Sequence, residues 1–232
     1  MSVKNILLRA LEQGSDISKD TWYIASVSVM ASVNHPEDVR DVYDVISNHI
    51  NQMQGKSQSV KNDLMSKIVL RMREAALKSH VIIGFPKTIN VLQHLADVTP
   101  DTIKSLLPKK PLRKEETWSD VQFQRQRGKE LFDKIYSRHT EKVIKNMYST
   151  HPDLAQTALH HLYGPILSDI SVLNPKETSL VVVAGLMAEN IPLQLKGHRY
   201  GAIHNGATEQ EIRKVESLVS ELADHYKIPI DS

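Results

Sequence analysis

Apolar residues recur at helical spacing along almost the whole chain, and that periodicity constrains the fold more than any other feature. Val39, Val42, Tyr43, Ile46, Ile50 and Met53 form one stripe behind Pro36. Val3, Ile6, Leu7, Ala10 and Leu11 follow the i, i+3, i+4, i+7, i+8 pattern up to Gly14, and Ile212, Val215, Val219, Leu222 and Tyr226 are in the same register. The Val-rich run at Ser179 to Ala184 is paired with no second alternating run and hairpin turn, so it too reads as helix. Stripes of this kind bury themselves against one another, and the expected fold is all-α.

Punctuation places the elements. Pro36, Pro152, Pro175 and Pro192 sit where a helix opens, because proline is tolerated in the first turn and breaks a helix further in. Asn174-Pro175 with Glu177 predicts a capped start for a helix over Pro175 to Ala188. The long helix from Val60 to Ile83 is expected to end at Gly84-Phe85-Pro86, with a short helix after it, and Val121 to Met147 reads as one helix or two in tandem. The segment 108–118, PKKPLRKEETW, has two prolines, six charges and no periodicity. It divides the chain into halves 1–107 and 119–232 of what is expected to be one compact unit, and its four bases read as a solvated connection rather than a phosphate contact.

Composition removes several functions. With 29 Lys and Arg against 27 Asp and Glu, the net charge of +2 makes no case for a nucleic-acid binder. No apolar run reaches the roughly 18–20 residues that span a bilayer, and no signal peptide is visible. The expected location is intracellular, cytoplasmic first, with mitochondrial or peroxisomal as alternatives. Lys4 and Arg9 fit a mitochondrial targeting helix, but an ordinary packed helix is preferred there, and Ile230-Asp231-Ser232 is not the usual peroxisomal tripeptide. The chain has no cysteine, so disulfides, thiolate metal sites and thiol peroxidase chemistry are excluded.

Chemistry is expected in Leu195 to Glu211, LKGHRYGAIHNGATEQE. Gly197 and Gly201 share one helix face, where another helix can approach closely, and His198 lies beside it in line with Leu195 and Ala202. Asn205-Gly206 reads as a helix stop and Thr208 with Glu211 as a capping box for the next helix. An imidazole there serves either as a general acid or base, or as a satisfied core histidine at a helix crossing. A faint internal echo points to a duplicated core: Trp22 to Pro36, ending VMASVNHP, is similar to Ser179 to Pro192, ending LMAENIP. The position matching His198 in the first half falls near Val42, which has no chemistry.

The run Gln194 to Val215, QLKGHRYGAIHNGATEQEIRKV, resembles the signature of the carboxymuconolactone decarboxylase family. LNPKETSLVVVAGLMAENIP, upstream of it, and RMREAALKSHVIIGFPKTINVL, Arg71 to Leu92, resemble further stretches of that family, and together the three cover roughly half the chain. The resemblance is greatest to fungal members of about this length. It implies an alkylhydroperoxidase D-type helical fold assembled as trimers or hexamers. The peroxidase members' cysteine pair would fall near Ile191 and Gln194, so that chemistry is ruled out here. What remains implied is cofactor-free and metal-free acid–base work on a small lactone or carboxylate, with a non-catalytic oligomeric binding or scaffold protein as the alternative. On this reading His198 and Glu177 are the catalytic candidates, and His204, Asn205 and Tyr163 line the pocket. The sequence departs from the family at His204, where an asparagine is usual, and the capping-box position accounts for Glu177 without any catalytic role. His160-His161 diverge on a helix and make no metal pair. Of Arg71 and Arg73, one is expected in a buried ion pair with a glutamate and the other in solvent, neither with a substrate role.

Overall fold

The computed structural model describes residues 1–230; Asp231 and Ser232, and with them the C-terminal tripeptide, lie outside the described residues. The described residues hold helices and no strand, so the chain is all-α. In chain order the helices are α1 Val3–Glu12, α2 Trp22–Ser32, α3 Val39–Asn51, α4 Gln58–Val98, α5 Asp101–Lys104, α6 Trp118–Tyr136, α7 Thr140–Thr150, α8 Pro152–Gln156, a π-helix Thr157–Leu167, α9 Pro175–Ala188, α10 Pro192–His204 and α11 Glu209–Tyr226.

Two helices, α2 and α9, form the centre. Every residue of α2 is buried, as is the run Glu177 to Leu186 of α9, which is the fate of a helix apolar on all sides. They pack on each other, with Ser28 Oγ donating to the Val181 carbonyl at 3.0 Å, and α4 lies across both. The two stretches of the echo end in the same backbone turn. Asn34 and Asn190 both turn through the left-handed region, at φ 59° and 51°. The N–H of His35 donates to the Met30 carbonyl at 2.9 Å and that of Ile191 to the Leu186 carbonyl at 3.0 Å, each ahead of a proline. Val42, matching His198, is fully buried.

Residue-level signals act as read at most boundaries. Asn174 and Thr208 each accept from the backbone three residues on, with Glu177 and Glu211 completing the capping boxes. Gly206, at φ 96°, closes α10, with the Ala207 N–H on the Ala202 carbonyl at 2.9 Å. Gly84, at φ 75°, kinks α4 where the sequence places its end. Ser137, at φ 49°, separates α6 from α7.

Two features differ from expectation. The segment read as a helix from Pro152 winds as α8 and then as a π-helix, a rare form associated with functional sites. Pro165 has no N–H and its ring clashes with the carbonyl four residues back in an α-helix, so the wider winding lets the chain stay helical through it. The connection 108–118 is exposed along most of its length, but Arg113 is not solvated. Its guanidinium forks onto Glu74 and its Nε donates to the Pro165 carbonyl at 2.7 Å, because the last carbonyls of the π-helix need donors. Lys78, fully buried on α4, supplies the rest: its Nζ donates to the carbonyls of Ile166, Leu167 and Asp169 at 3.2, 2.8 and 2.7 Å.

Candidate functional site: a histidine and two tyrosines

A second, smaller apolar cluster joins Phe132 and Ile135 of α6, Tyr163 and Leu167 of the π-helix, and Val182 and Leu186 of α9. The glycines decide how its helices meet. A Cβ on Gly128 would stand 2.5 Å from both Cα and N of Gly164, so α6 and the π-helix touch backbone to backbone. A Cβ on Gly201 would lie 2.7 Å from Ile135 Cγ2, and one on Gly197 3.5 Å from Tyr136 Cε1. The glycine face of α10 therefore receives the end of α6, and Tyr136 arrives beside His198.

The result is a triangle of polar atoms. Nε2 of His198 lies 3.3 Å from the Tyr163 hydroxyl and 3.5 Å from that of Tyr136, and the two hydroxyls are 3.4 Å apart. Phe132 backs both phenols, its ring centroid 4.4 Å from that of Tyr136 and 4.8 Å from that of Tyr163. His198 is 9% exposed and Tyr163 is 7% exposed. Burial pushes the imidazole down to about 4 and both phenols above their ordinary value. All three groups are therefore uncharged near neutral pH, two of them as hydroxyl donors.

Beside the triangle is a cavity of about 430 Å³ that it meets through Tyr136. Arg138, His139, Tyr200 and His204 also line it, and among the described residues no carboxylate does. Nδ1 of His204 lies 3.0 Å from the Lys134 carbonyl and 3.3 Å from that of Ile135. Only an N–H bonds a carbonyl, so Nδ1 carries a proton. Ser137, on the same wall, sits at φ 49°, ψ −125°, strain of about 1–3 kcal/mol for a residue other than glycine.

The candidates read from sequence divide into two places. His198 and Tyr163 meet in the triangle, and His204 lines the adjoining cavity. Asn205 instead donates from Nδ2 to Ser179 Oγ at 3.0 Å, tying α10 to α9. Glu177 has no hydrogen bond to His198. Its Oε1 accepts from Arg71 at 2.7 Å and its Oε2 from the Asn174 N–H at 2.9 Å, at the far end of α9, and it borders a different cavity. Arg71 is thus the paired arginine, and Arg73 is exposed. Tyr136 is the member that sequence reasoning missed, since no motif surrounds it; its only signal is its place beside Phe132 and Ile135 at the end of the α6 stripe. No group of three His, Asp or Glu among the described residues is arranged to hold a metal ion.

The low pKa makes burial of the imidazole measurable. Between its ordinary 6.5 and about 4, the unfolded chain takes up a proton that the folded chain refuses. The stability linked to His198 is then full above pH 6.5 and lost as the pH falls toward 4. Denaturant unfolding at about pH 7.5 and about pH 4.5 should show wild type losing roughly 2–3 kcal/mol more than His198→Gln. Equal losses would mean that the imidazole takes a proton freely inside the fold.

These features define a class: a cysteine-free, all-α protein with a buried histidine–tyrosine cluster beside a cavity. No protein-family model matches the chain, and no solved structure matches it significantly. A curated Schizosaccharomyces pombe protein, Peroxisomal protein 2, is 31% identical over 201 residues, covering 87% of this chain and 84% of its own. Peroxisomal protein 2 of Saccharomyces cerevisiae is 25% identical over 244 residues, covering 86% of each chain. The chain belongs to the Peroxisomal protein 2 family.

Proposed function

We propose that this protein is a carboxymuconolactone decarboxylase-like protein of the alkylhydroperoxidase D type, acting in the peroxisome, whose His198–Tyr163–Tyr136 triangle performs cofactor-free proton chemistry on a small lactone or carboxylate. The signature around His198 supports the family, and the relatives' name supports the location. The observation that carries the chemistry is the triangle itself, with sides of 3.3 to 3.5 Å beside a cavity that holds Arg138 and, among the described residues, no carboxylate. An oxygen above its plane can lie about 2.8 Å from both hydroxyl oxygens, ordinary hydrogen-bond distance. A carbonyl oxygen seated there receives two phenolic hydrogen bonds as negative charge moves onto it, in enolisation or in loss of carbon dioxide. The neutral imidazole exchanges the proton with the adjacent carbon, and Arg138 meets the substrate's carboxylate at the mouth.

The test is turnover of candidate lactone acids by wild type, His198→Ala and Tyr163→Phe. His198→Ala is expected to lose about 10²- to 10⁴-fold in rate, and equal rates in wild type and His198→Ala would remove His198 from the mechanism. A second reading, a non-catalytic oligomeric binding or scaffold protein, is favoured by one observation: His198 itself is not on the cavity wall, which reaches it only through Tyr136. Calorimetric binding of a lactone acid by wild type without turnover would select it. Both readings include a homo-oligomer, supported by Leu193 and Tyr200, which stand 83% and 56% exposed on α10. Light scattering is expected to show a trimer or hexamer at micromolar concentration, and a monomer would contradict the assembly.

A further inference from the structure

A second cavity, about 420 Å³, lies on the other side of the molecule's centre, walled by α1, α11 and the first turns of α2 and α9. Its volume falls in the range of small-molecule sites, about 300–1,000 Å³. Ile6, Val215 and Leu218 make an apolar wall, and Trp22 completes it from the start of α2.

Its polar groups do not balance. Four carboxylates border it, and each already has donors within the protein. Glu177 holds Arg71 and the Asn174 N–H, Glu211 holds Lys176 and the Thr208 cap, Glu221 holds Arg9, and Asp20 accepts from the backbone of Ser15 and Asp16. The cations and N–H donors are less well served. Lys214, on the wall, forms no ion pair among the described residues and reaches only the Gln13 carbonyl, at 3.2 Å. Lys19 has only an exposed contact with Asp16, at 3.5 Å. Trp22 is 7% exposed and its indole N–H finds no acceptor in the protein. Thr21, which precedes α2, offers no side-chain cap to that helix's first N–H groups. A cavity of this size with an apolar wall and poorly paired cations at its rim is where an anionic ligand belongs.

We propose that this cavity is a binding site, separate from the histidine–tyrosine triangle, for an organic acid with an apolar body. Its carboxylate is held by Lys214, Lys19 and the open end of α2, and its apolar part lies against Ile6, Trp22, Val215 and Leu218. A helix N-terminus and two lysines favour an anion, and the apolar wall favours a chain or ring over an inorganic ion.

Trp22 also reports on the site. The chain has two tryptophans, and the other, Trp118, is 62% exposed, so Trp118→Phe leaves Trp22 as the sole indole emitter. Titration of that variant with sodium octanoate is expected to change its emission saturably, with half-saturation at about 1 mM or below. Octanol, lacking the charge, is expected to bind at least about tenfold more weakly, and Lys214→Glu to weaken octanoate by a similar factor. Ala10→Phe, which fills the cavity from α1, should abolish the response, whereas His198→Ala should leave it unchanged. Circular dichroism establishes that each variant is folded. No saturable change in the folded protein, equal binding of octanol and octanoate, an unaltered response in Ala10→Phe, or its loss in His198→Ala would each overturn the proposal.

Discussion

Lys78→Met is expected to destabilise the protein by about 3–5 kcal/mol, the usual cost of removing one member of a buried charge network. In a chain of this size that corresponds to a fall in Tm of roughly 6–20 °C. Lys78 is fully buried, and burial pushes its ammonium down to about 8, so the charge is costly where it sits. It is held there by the three carbonyls at the end of the π-helix and by Glu74 at 3.7 Å. Methionine fills the volume but leaves two of those carbonyls, those of Leu167 and Asp169, without their donor, and each buried orphan costs about 1–3 kcal/mol. Arg113 still pairs Glu74, so the variant is expected to fold, with a π-helix end that exchanges its amide hydrogens faster. Thermal unfolding checks the magnitude. A loss below about 1 kcal/mol would show that those carbonyls find other donors.

Gly128→Ala should cost up to about 2 kcal/mol net, although alanine is the better helix former. Propensity favours the substitution by about 1 kcal/mol. Against it, the new methyl would stand 2.5 Å from Cα and N of Gly164 and 2.9 Å from the Tyr163 carbonyl carbon, all backbone atoms that no rotamer change can move. Overpacking of this kind costs about 1–3 kcal/mol and at times more, and here it acts on the contact that sets Tyr163 beside His198. The three glycines near the site should therefore rank. Gly128→Ala is worst, Gly201→Ala is intermediate because its neighbour is the Ile135 side chain at 2.7 Å, and Gly197→Ala, with Tyr136 Cε1 at 3.5 Å, is neutral or stabilising by up to about 1 kcal/mol. Chemical denaturation of the three variants tests the order. Equal effects at positions 128 and 197 would remove the backbone contact as the cause.

That ranking also separates what sequence shows from what it hides. Gly197 and Gly201 are readable as one helix face open to a close neighbour, because a four-residue spacing is a local property of a helix. That the neighbour is the end of α6, carrying Tyr136, is not readable, because it depends on a crossing between segments 62 residues apart in the pair Tyr136 and His198. Glu177 shows the opposite error of emphasis. Its capping box is local and forms as its spacing dictates, while the partner of its other oxygen, Arg71, comes from α4 and draws it away from His198. Arg113 read as solvent because its surroundings in the chain are polar and aperiodic. Its actual environment is a helix end that only folding brings to it.

By itself the sequence determined the class of fold, most helix boundaries, the absence of thiol chemistry and the segment that carries the histidine. These follow from periodicity, proline and glycine stereochemistry, capping and composition, which act within a few residues of chain. Only the tertiary structure decided that His198 is buried and uncharged, that two tyrosines from separate helices meet it, that Glu177 does not, and that a buried lysine and an arginine close the π-helix. Each of those depends on burial and on contacts across the core, where desolvation and unpaired carbonyls set the energies and chain distance does not count.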